Sequence, residues 1–267
     1  VRGVGRDGHD FVPAAGASGA ASIVVDRDGP APSGVAVVRV ADTRNALAKL
    51  APAFYGLCGG VEPTLRIIGV TGTNGKTTVV WLLRSILQAA HHRTAMLGTV
   101  EYDLVGERRP SPLTTPGSIE LCRNLASARD AGATHAVLEV SSHALDQRRC
   151  DGLTFAAGVF TNLTGDHLDY HKTTAAYFSA KRRLFEMLAP SAVAVVNVDD
   201  PMGELLVHST TAPVVTYGID SPTAEVRADI EGMDRCGTEF LLRGSAMELP
   251  IRTPLIGRHN VLNALAA

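Results

Sequence analysis

Leu65-Arg66-Ile67-Ile68-Gly69-Val70 runs into Thr71-Gly72-Thr73-Asn74-Gly75-Lys76-Thr77-Thr78, and that turn runs into Val79-Val80-Trp81-Leu82-Leu83-Arg84-Ser85-Ile86-Leu87. An apolar run, a glycine-rich turn and a helical pattern in that order predict a strand feeding a helix N-terminus. Several backbone N–H groups and the positive end of the helix dipole then converge on one spot, which suits a polyphosphate. Lys76 would reach the terminal phosphates of ATP or GTP, and the Thr77 hydroxyl would ligate their magnesium ion. The strict motif has a glycine where this chain has Val70, so the turn is a variant of it. The plainer alternative is an ordinary loop capped by Thr at a helix start. The strand and helix on either side argue against it.

Outward from this turn, strand patterns at 65–70, 94–100, 135–140, 156–163, 192–198 and 213–218 alternate with helical patterns at 76–90, 117–131, 173–188 and 201–208. Such alternation predicts an α/β fold, a P-loop mostly parallel sheet flanked by helices, with ligands at the carboxyl ends of its strands. Segments 224–232, 237–243 and 247–252 read as short antiparallel strands appended to that sheet. Before the turn, Ala21–Val25 and Val35–Val40 read as two strands, and Thr43–Phe54 as a helix capped by Asp42 or Thr43. This is a partial N-terminal α/β domain over 1–62, with a boundary near Cys58-Gly59-Gly60, followed by a central domain over 63–267. The missing initiator Met and a last helical pattern cut at Ala267 suggest truncation at both ends.

The 267 residues carry a formal net charge of −2, which gives no electrostatic case for nucleic acid. No apolar run approaches a membrane span and no signal sequence opens the chain. The four cysteines, Cys58, Cys122, Cys150 and Cys236, form no C-x-x-C pair and read as reduced thiols of a cytosolic protein.

Three further segments carry chemistry. The apolar strand 136–140 places Glu139 at its carboxyl end, opposite the phosphate loop, where it can hold magnesium; the alternative is a capping carboxylate in solvent. Ser141 to Arg149 follows as a Ser-rich helix start, whose hydroxyls serve as caps or as ligands, with Gln147 and Arg149 suited to a substrate carboxylate or phosphate. Phe160 to His171 releases Asn, Asp and His residues into one loop, making His167 a candidate metal ligand against a purely structural reading. Lys181 is one of four lysines among 21 arginines, and from spacing alone it belongs to a solvated basic helix face.

Together, residues 71–78, Thr114-Thr115-Pro116-Gly117, Glu139-Val140-Ser141-Ser142-His143-Ala144-Leu145, residues 161–171, Tyr177-Phe178-Ser179-Ala180-Lys181 and Gly257-Arg258-His259-Asn260-Val261-Leu262-Asn263 closely resemble the Mur ligases of peptidoglycan synthesis. The Thr-Thr-Pro and Glu-Val-Ser-Ser-His-Ala-Leu pieces resemble the MurE type, which adds the third residue to UDP-N-acetylmuramoyl-L-alanyl-D-glutamate. The resemblance implies that Gly72, Thr73, Asn74, Gly75, Lys76, Thr77 and Thr78 bind ATP phosphates, with Asn260 at the adenine. It implies two Mg2+ sites, one on Thr77 and Glu139 and one on His167 and Lys181, the latter as a carbamate formed with CO2. A carbamate replaces an ammonium that magnesium would repel by an anionic oxygen ligand. Lys76, Glu139, His167 and Lys181 would then be the catalytic set. Thr114, Thr115, Ser141, Gln147 and Arg149 would contact the muramoyl peptide, and Val4, Gly5 and Arg6 its uridine end.

The implied reaction is ATP-dependent amide ligation. The substrate's γ-carboxylate attacks the γ-phosphorus of ATP to give an acyl phosphate, and the amine of the incoming amino acid displaces phosphate. By the same resemblance, a C-terminal domain that selects meso-diaminopimelate or L-lysine is absent, so the fragment alone is expected not to ligate. The Arg- and Ala-rich, Lys-poor composition leans toward a GC-rich bacterium and diaminopimelate. A monomeric cytoplasmic protein is expected. A folylpolyglutamate-synthase-like ligase and a nucleotide-binding module without turnover are the alternatives.

Overall fold

The computed structural model describes residues 1, 5–58, 65–165, 168–245 and 247–267. In chain order the helices are α1 (Val12–Ala17), α2 (Thr43–Phe54), α3 (Lys76–Ala89), α4 (Ser118–Asp130), α5 (Ser142–Asp146), α6 (Leu168–His171), α7 (Thr174–Glu186), α8 (Pro201–Val207) and α9 (Arg258–Ala266). The strands are β1 (Ser22–Val25), β2 (Ala36–Arg39), β3 (Arg66–Thr71), β4 (Thr94–Leu97), β5 (Glu101–Asp103), β6 (Arg108–Pro110), β7 (His135–Glu139), β8 (Phe155–Phe160), β9 (Val193–Asn197), β10 (Val214–Gly218), β11 (Val226–Asp234), β12 (Gly237–Gly244) and β13 (Met247–Thr253).

Eleven strands form one sheet in the order β13-β12-β11-β10-β9-β8-β3-β7-β4-β5-β6. The strands from β4 to β10 in that order run parallel, as the strand–helix alternation requires, because each return must cross a face of the sheet. Period-two alternation explains why their sequences are apolar throughout. Ile67, Ala136, Leu138 and Phe155 face a core with Leu121 and Leu125 of α4 and Leu184 and Phe185 of α7. Val70, Val137 and Val159 face the other core, with Val79, Val80 and Leu83 of α3 and Val261 and Leu265 of α9. Each fully buried Leu or Phe contributes about 1.5–3 kcal/mol of transfer free energy to this sandwich.

The central element is β3, flanked by β7 on one side and β8 on the other, so the chain leaves β3 at the point where strand order reverses. This places the glycine-rich turn at the crevice of the sheet. The appended strands 224–232, 237–243 and 247–252 are present as β11, β12 and β13, the latter two antiparallel. The link itself differs, because β11 continues the sheet parallel to β10. The strand expected at 94–100 ends at Leu97, and the chain then turns into β5 and β6, two three-residue strands too short to give a readable alternation.

The N-terminal residues form their own two-stranded parallel sheet, β1 with β2. Helix α2 is capped by Asp42, which accepts from Arg44 N at 2.8 Å and Asn45 N at 3.1 Å. It joins the larger unit through Ala51, which lies in the same core as α4, and through Arg129, which donates to the carbonyls of Tyr55 at 3.0 Å and Gly56 at 2.7 Å. The expected boundary at 58–60 falls on residues of which only Cys58 is described.

Candidate active site

Gly75 is the N-cap of α3 with φ 85°, a left-handed conformation, and a side chain there would meet Asn263 Oδ1 at 2.3 Å. Gly72 is equally constrained, since a Cβ would fall 1.9 Å from Thr161 Oγ1. The two glycines therefore let the loop fold under β8 and against α9. Asn162 fastens it from below: its Oδ1 accepts from Asn74 N at 2.9 Å, and Asn74 O accepts from Thr161 Oγ1 at 2.6 Å. Among the described residues no side chain caps α3, which leaves its first N–H groups at the crevice open to a ligand. That geometry fits a phosphate group. Lys76 Nζ lies back over the loop, donating to Gly72 O and Thr73 O at 2.8 Å each, within reach of the same crevice.

A cleft of about 470 Å³ opens from this loop. One wall is Thr73 to Thr77; the other is built by Thr114 and Thr115, by Glu139 at the end of β7, and by Ser141, His143 and Arg149. Glu139 is buried, and Thr99 holds both its oxygens, through N at 2.8 Å and Oγ1 at 3.0 Å. Thr99 Oγ1 also bonds Thr114 Oγ1 at 3.0 Å, tying the Thr114 loop to Glu139 within the second wall. Thr115 donates to Glu139 O at 2.8 Å and accepts from Ser141 N at 3.0 Å. Ser141 in turn caps α5 by accepting from Ala144 N. Arg149 is braced on two sides, by Thr115 O at 2.7 Å and by Gln147 Oε1 at 2.8 Å, while Gln147 Nε2 donates to Tyr170 Oη at 3.3 Å. A guanidinium held in this way presents a fixed fork to a carboxylate or phosphate in the cleft.

Several of the residues expected from sequence thus meet in one place: Thr73, Asn74, Gly75, Lys76, Thr77, Thr114, Thr115, Glu139, Ser141 and Arg149. Others stand behind it. Gly72 and Thr78 shape the loop and first turn, and Gln147 braces Arg149 rather than lining the cleft. Asn260 lies on α9, bonded to Ile256 O at 2.8 Å and to Asn263, outside the cleft lining. His167 and Val4 lie outside the described residues, and Gly5 and Arg6 are exposed in the N-terminal segment.

Lys181 corrects its spacing-based placement. It is buried, 1% exposed, with its Nζ donating to Gly72 O at 2.7 Å and lying 4.4 Å from the centre of the Tyr177 ring. Helix α7 packs against β3, and this contact turns the basic residue under the phosphate loop instead of toward solvent. Lys76 and Lys181 therefore donate to the same carbonyl oxygen.

Thr99, Leu113, His143 and Asn263 also belong to the site or its support, although none was singled out individually. Thr99 follows the end of β4, and the rule that ligands gather at carboxyl ends of strands points to it. Asn263 lies one turn beyond Asn260 on α9, a spacing that puts both on one face. Among the described residues no group of three His, Cys, Asp or Glu side chains forms a metal cage. The oxygen donors present, Thr77 and Glu139, are of the hard kind that suits a magnesium ion bound mainly by phosphates.

The sequence model of the Mur ligase middle domain matches residues 70–267. The chain belongs to the Mur ligase family. It is 44% identical over 275 residues to the UDP-N-acetylmuramoyl-L-alanyl-D-glutamate–2,6-diaminopimelate ligase of Geobacter metallireducens, covering all of this chain and 53% of that protein. The ligase of the same name from Halalkalibacterium halodurans is 41% identical over 272 residues, with 54% of its length covered. The chain thus spans about half the length of the curated relatives it matches. A solved structure of a UDP-N-acetylmuramoyl-L-alanyl-D-glutamate–2,6-diaminopimelate ligase superposes with a TM-score of 0.85 at 33% identity, over 96% of this chain and 52% of that one. MurF of Thermotoga maritima shares the Mur ligase fold at a TM-score of 0.64 and 21% identity, over all of this chain and 57% of that one.

Proposed function

We propose that the protein carrying this sequence is an ATP-dependent ligase of peptidoglycan precursor synthesis that joins meso-diaminopimelate to UDP-N-acetylmuramoyl-L-alanyl-D-glutamate. The observation that carries this reading is that the phosphate loop and the Thr114–Thr115, Ser141 and Arg149 wall share one cleft. The two sides suit the two reactants of a phosphoryl transfer, a nucleotide and a carboxylate. The names of the relatives favour diaminopimelate over L-lysine.

In this reading the uncapped N-terminus of α3 and Lys76 hold the ATP phosphates, Lys76 exchanging its loop carbonyls for phosphate oxygens as charge develops on the transferring group. Asn260 stands toward the adenine. Thr77 and Glu139 hold one Mg2+, and His167 with Lys181 a second. ATP supplies the phosphoryl group that turns a carboxylate into an electrophile, and the magnesium ions neutralise its charge. Arg149, Thr114, Thr115 and Ser141 orient the muramoyl dipeptide so that its carboxylate lies in line, and Gln147 keeps Arg149 in place. Val4, Gly5 and Arg6, within the 1–62 segment, serve the uridine end, while 63–267 is the ATP-binding unit.

Lys181 serves as a carbamate formed with CO2. Two ammonium groups donating to one carbonyl repel each other in a buried setting, whereas a carbamate reverses one charge and keeps an N–H for Gly72 O. Among the described residues no helix is long and apolar enough to cross a membrane. The nucleotide-linked substrate places the work in the cytoplasm, and a monomer suffices for it.

The test is phosphate release from ATP by the full-length protein containing this sequence, with UDP-N-acetylmuramoyl-L-alanyl-D-glutamate and either meso-diaminopimelate or L-lysine. Release that requires both the dipeptide and diaminopimelate is the expected result. Release indifferent to the dipeptide refutes the ligase, and dependence on L-lysine instead corrects its third substrate.

A further inference from the structure

Helix α3 carries the phosphate loop at one end, and its last turns line a second cavity of about 700 Å³ at the other. This cavity lies where β4 begins at Thr94, the opposite end of the sheet from the ATP cleft. Its charged lining is Arg84 of α3, Arg93 before β4, Arg108 of β6 and Asp103 of β5, with His91 and His92 from the intervening turn. Three guanidinium groups thus surround one carboxylate among the described lining residues.

Asp103 is already shared. It accepts from Arg84 Nη2 and, through the same oxygen, from Arg108 Nε at 2.9 Å. Arg84 is 7% exposed, and its Nε is buried with no hydrogen-bond partner among the described residues. The single Asp103 carboxylate offsets only one of the three guanidinium charges at the cavity, and an incoming anion would offset the others. Arg93 is held at the rim by Ala131 O at 2.6 Å, and the Arg108 side chain is 64% exposed, so both can present N–H groups to an incoming ligand.

We propose that this cavity is a second anion site, separate from the ATP cleft, which binds a small multiply charged phosphate compound of the pyrophosphate class. Guanidinium forks match phosphate oxygens in pairs, and a single concave cluster on a chain of net charge −2 suits a compact polyanion rather than a nucleic-acid backbone. Because Arg84 lies one turn beyond Trp81 on α3, with its guanidinium carbon 5.6 Å from the indole centre, occupancy is reported by the chain's one tryptophan.

The experiment titrates inorganic pyrophosphate into the Lys76→Ala chain, which removes the principal phosphate ligand of the ATP cleft, following Trp81 fluorescence and calorimetric heat. One saturable site per chain is expected, weakened at least about tenfold in Arg93→Ala/Arg108→Ala, and also weakened in the single, more exposed Arg108→Ala. Arg252→Ala, on the far edge of the sheet, is expected to bind as the parent does. Competition by ADP in the Lys76→Ala chain identifies a nucleotide as the source of the phosphates, and its failure to compete identifies a free polyphosphate. Absence of a saturable site in Lys76→Ala overturns the proposal. So does affinity unchanged by both arginine substitutions.

Discussion

Thr115→Val removes a cleft hydroxyl that bonds two backbone groups and leaves the side-chain volume almost unchanged. Thr115 is 2% exposed, so water cannot replace what is lost. Its hydroxyl donates to Glu139 O at 2.8 Å and accepts from Ser141 N at 3.0 Å, and the substitution abandons both backbone groups at the carboxyl end of β7. Each buried polar group left unpaired costs about 1–3 kcal/mol, and the added methyl returns a fraction of that, so the net loss is about 2–4 kcal/mol. For a chain of this size that corresponds to a fall of roughly 5–15 °C in Tm. Equilibrium urea unfolding followed by circular dichroism measures the difference. Thr115→Ser keeps the hydroxyl and is expected within about 1 kcal/mol of the parent, since only a methyl is removed. A Val variant within about 0.5 kcal/mol of the parent would show that the hydroxyl does not hold the strand end, and the account of the cleft wall would fail.

Lys76→Ala is expected to weaken Mg2+·ATP binding by about 100-fold or more while leaving the unfolding midpoint nearly unchanged, because Gly72 O keeps Lys181 as a donor; equal binding by calorimetry would remove Lys76 from the phosphate site. Incubation with carbon-13 bicarbonate should give a carbamate resonance that disappears in Lys181→Met, and its persistence in that variant would assign the adduct elsewhere. Burial pushes the Cys122 and Cys150 thiols up to about 12, whereas Cys58 and Cys236 are exposed, so a thiol reagent at pH 8 should titrate two cysteines in the folded chain and all four once it is unfolded. Burial first, then His92 and Arg66, hold His135 below its ordinary 6.5, so the unfolded chain binds that proton more readily. Its contribution is full above pH 6.5 and is lost as pH falls toward the lowered folded value, and His135→Gln should flatten that slope of unfolding free energy.

Much of the sheet was legible because its determinants are local. The strand and helix of the phosphate loop lie where the apolar run and glycine turn put them, β3 at Arg66–Thr71 and α3 at Lys76–Ala89. Asp42 announces α2 by a side chain that caps the N–H groups two and three residues on. Strands β5 and β6 were not legible, since three residues carry no period and their pairing depends on β4 lying alongside. Lys181 was misread by spacing for a similar reason: a helix pattern says which residues share a face, but not what that face meets.

Residue types and their order along the chain were enough to determine that a glycine-rich turn joins a strand to a helix, that strands and helices alternate, and that Glu139 ends a strand. These are properties of turns and periods spanning a few residues. The tertiary structure alone decided which of them meet. Thr99 reaches Glu139 across 40 residues of chain, and Lys181 reaches Gly72 across 109. The first contact depends on β4 lying beside β7, and the second on α7 packing against β3. Strand order is set by burying two apolar faces at once, a sum over the whole sheet that no single segment contains.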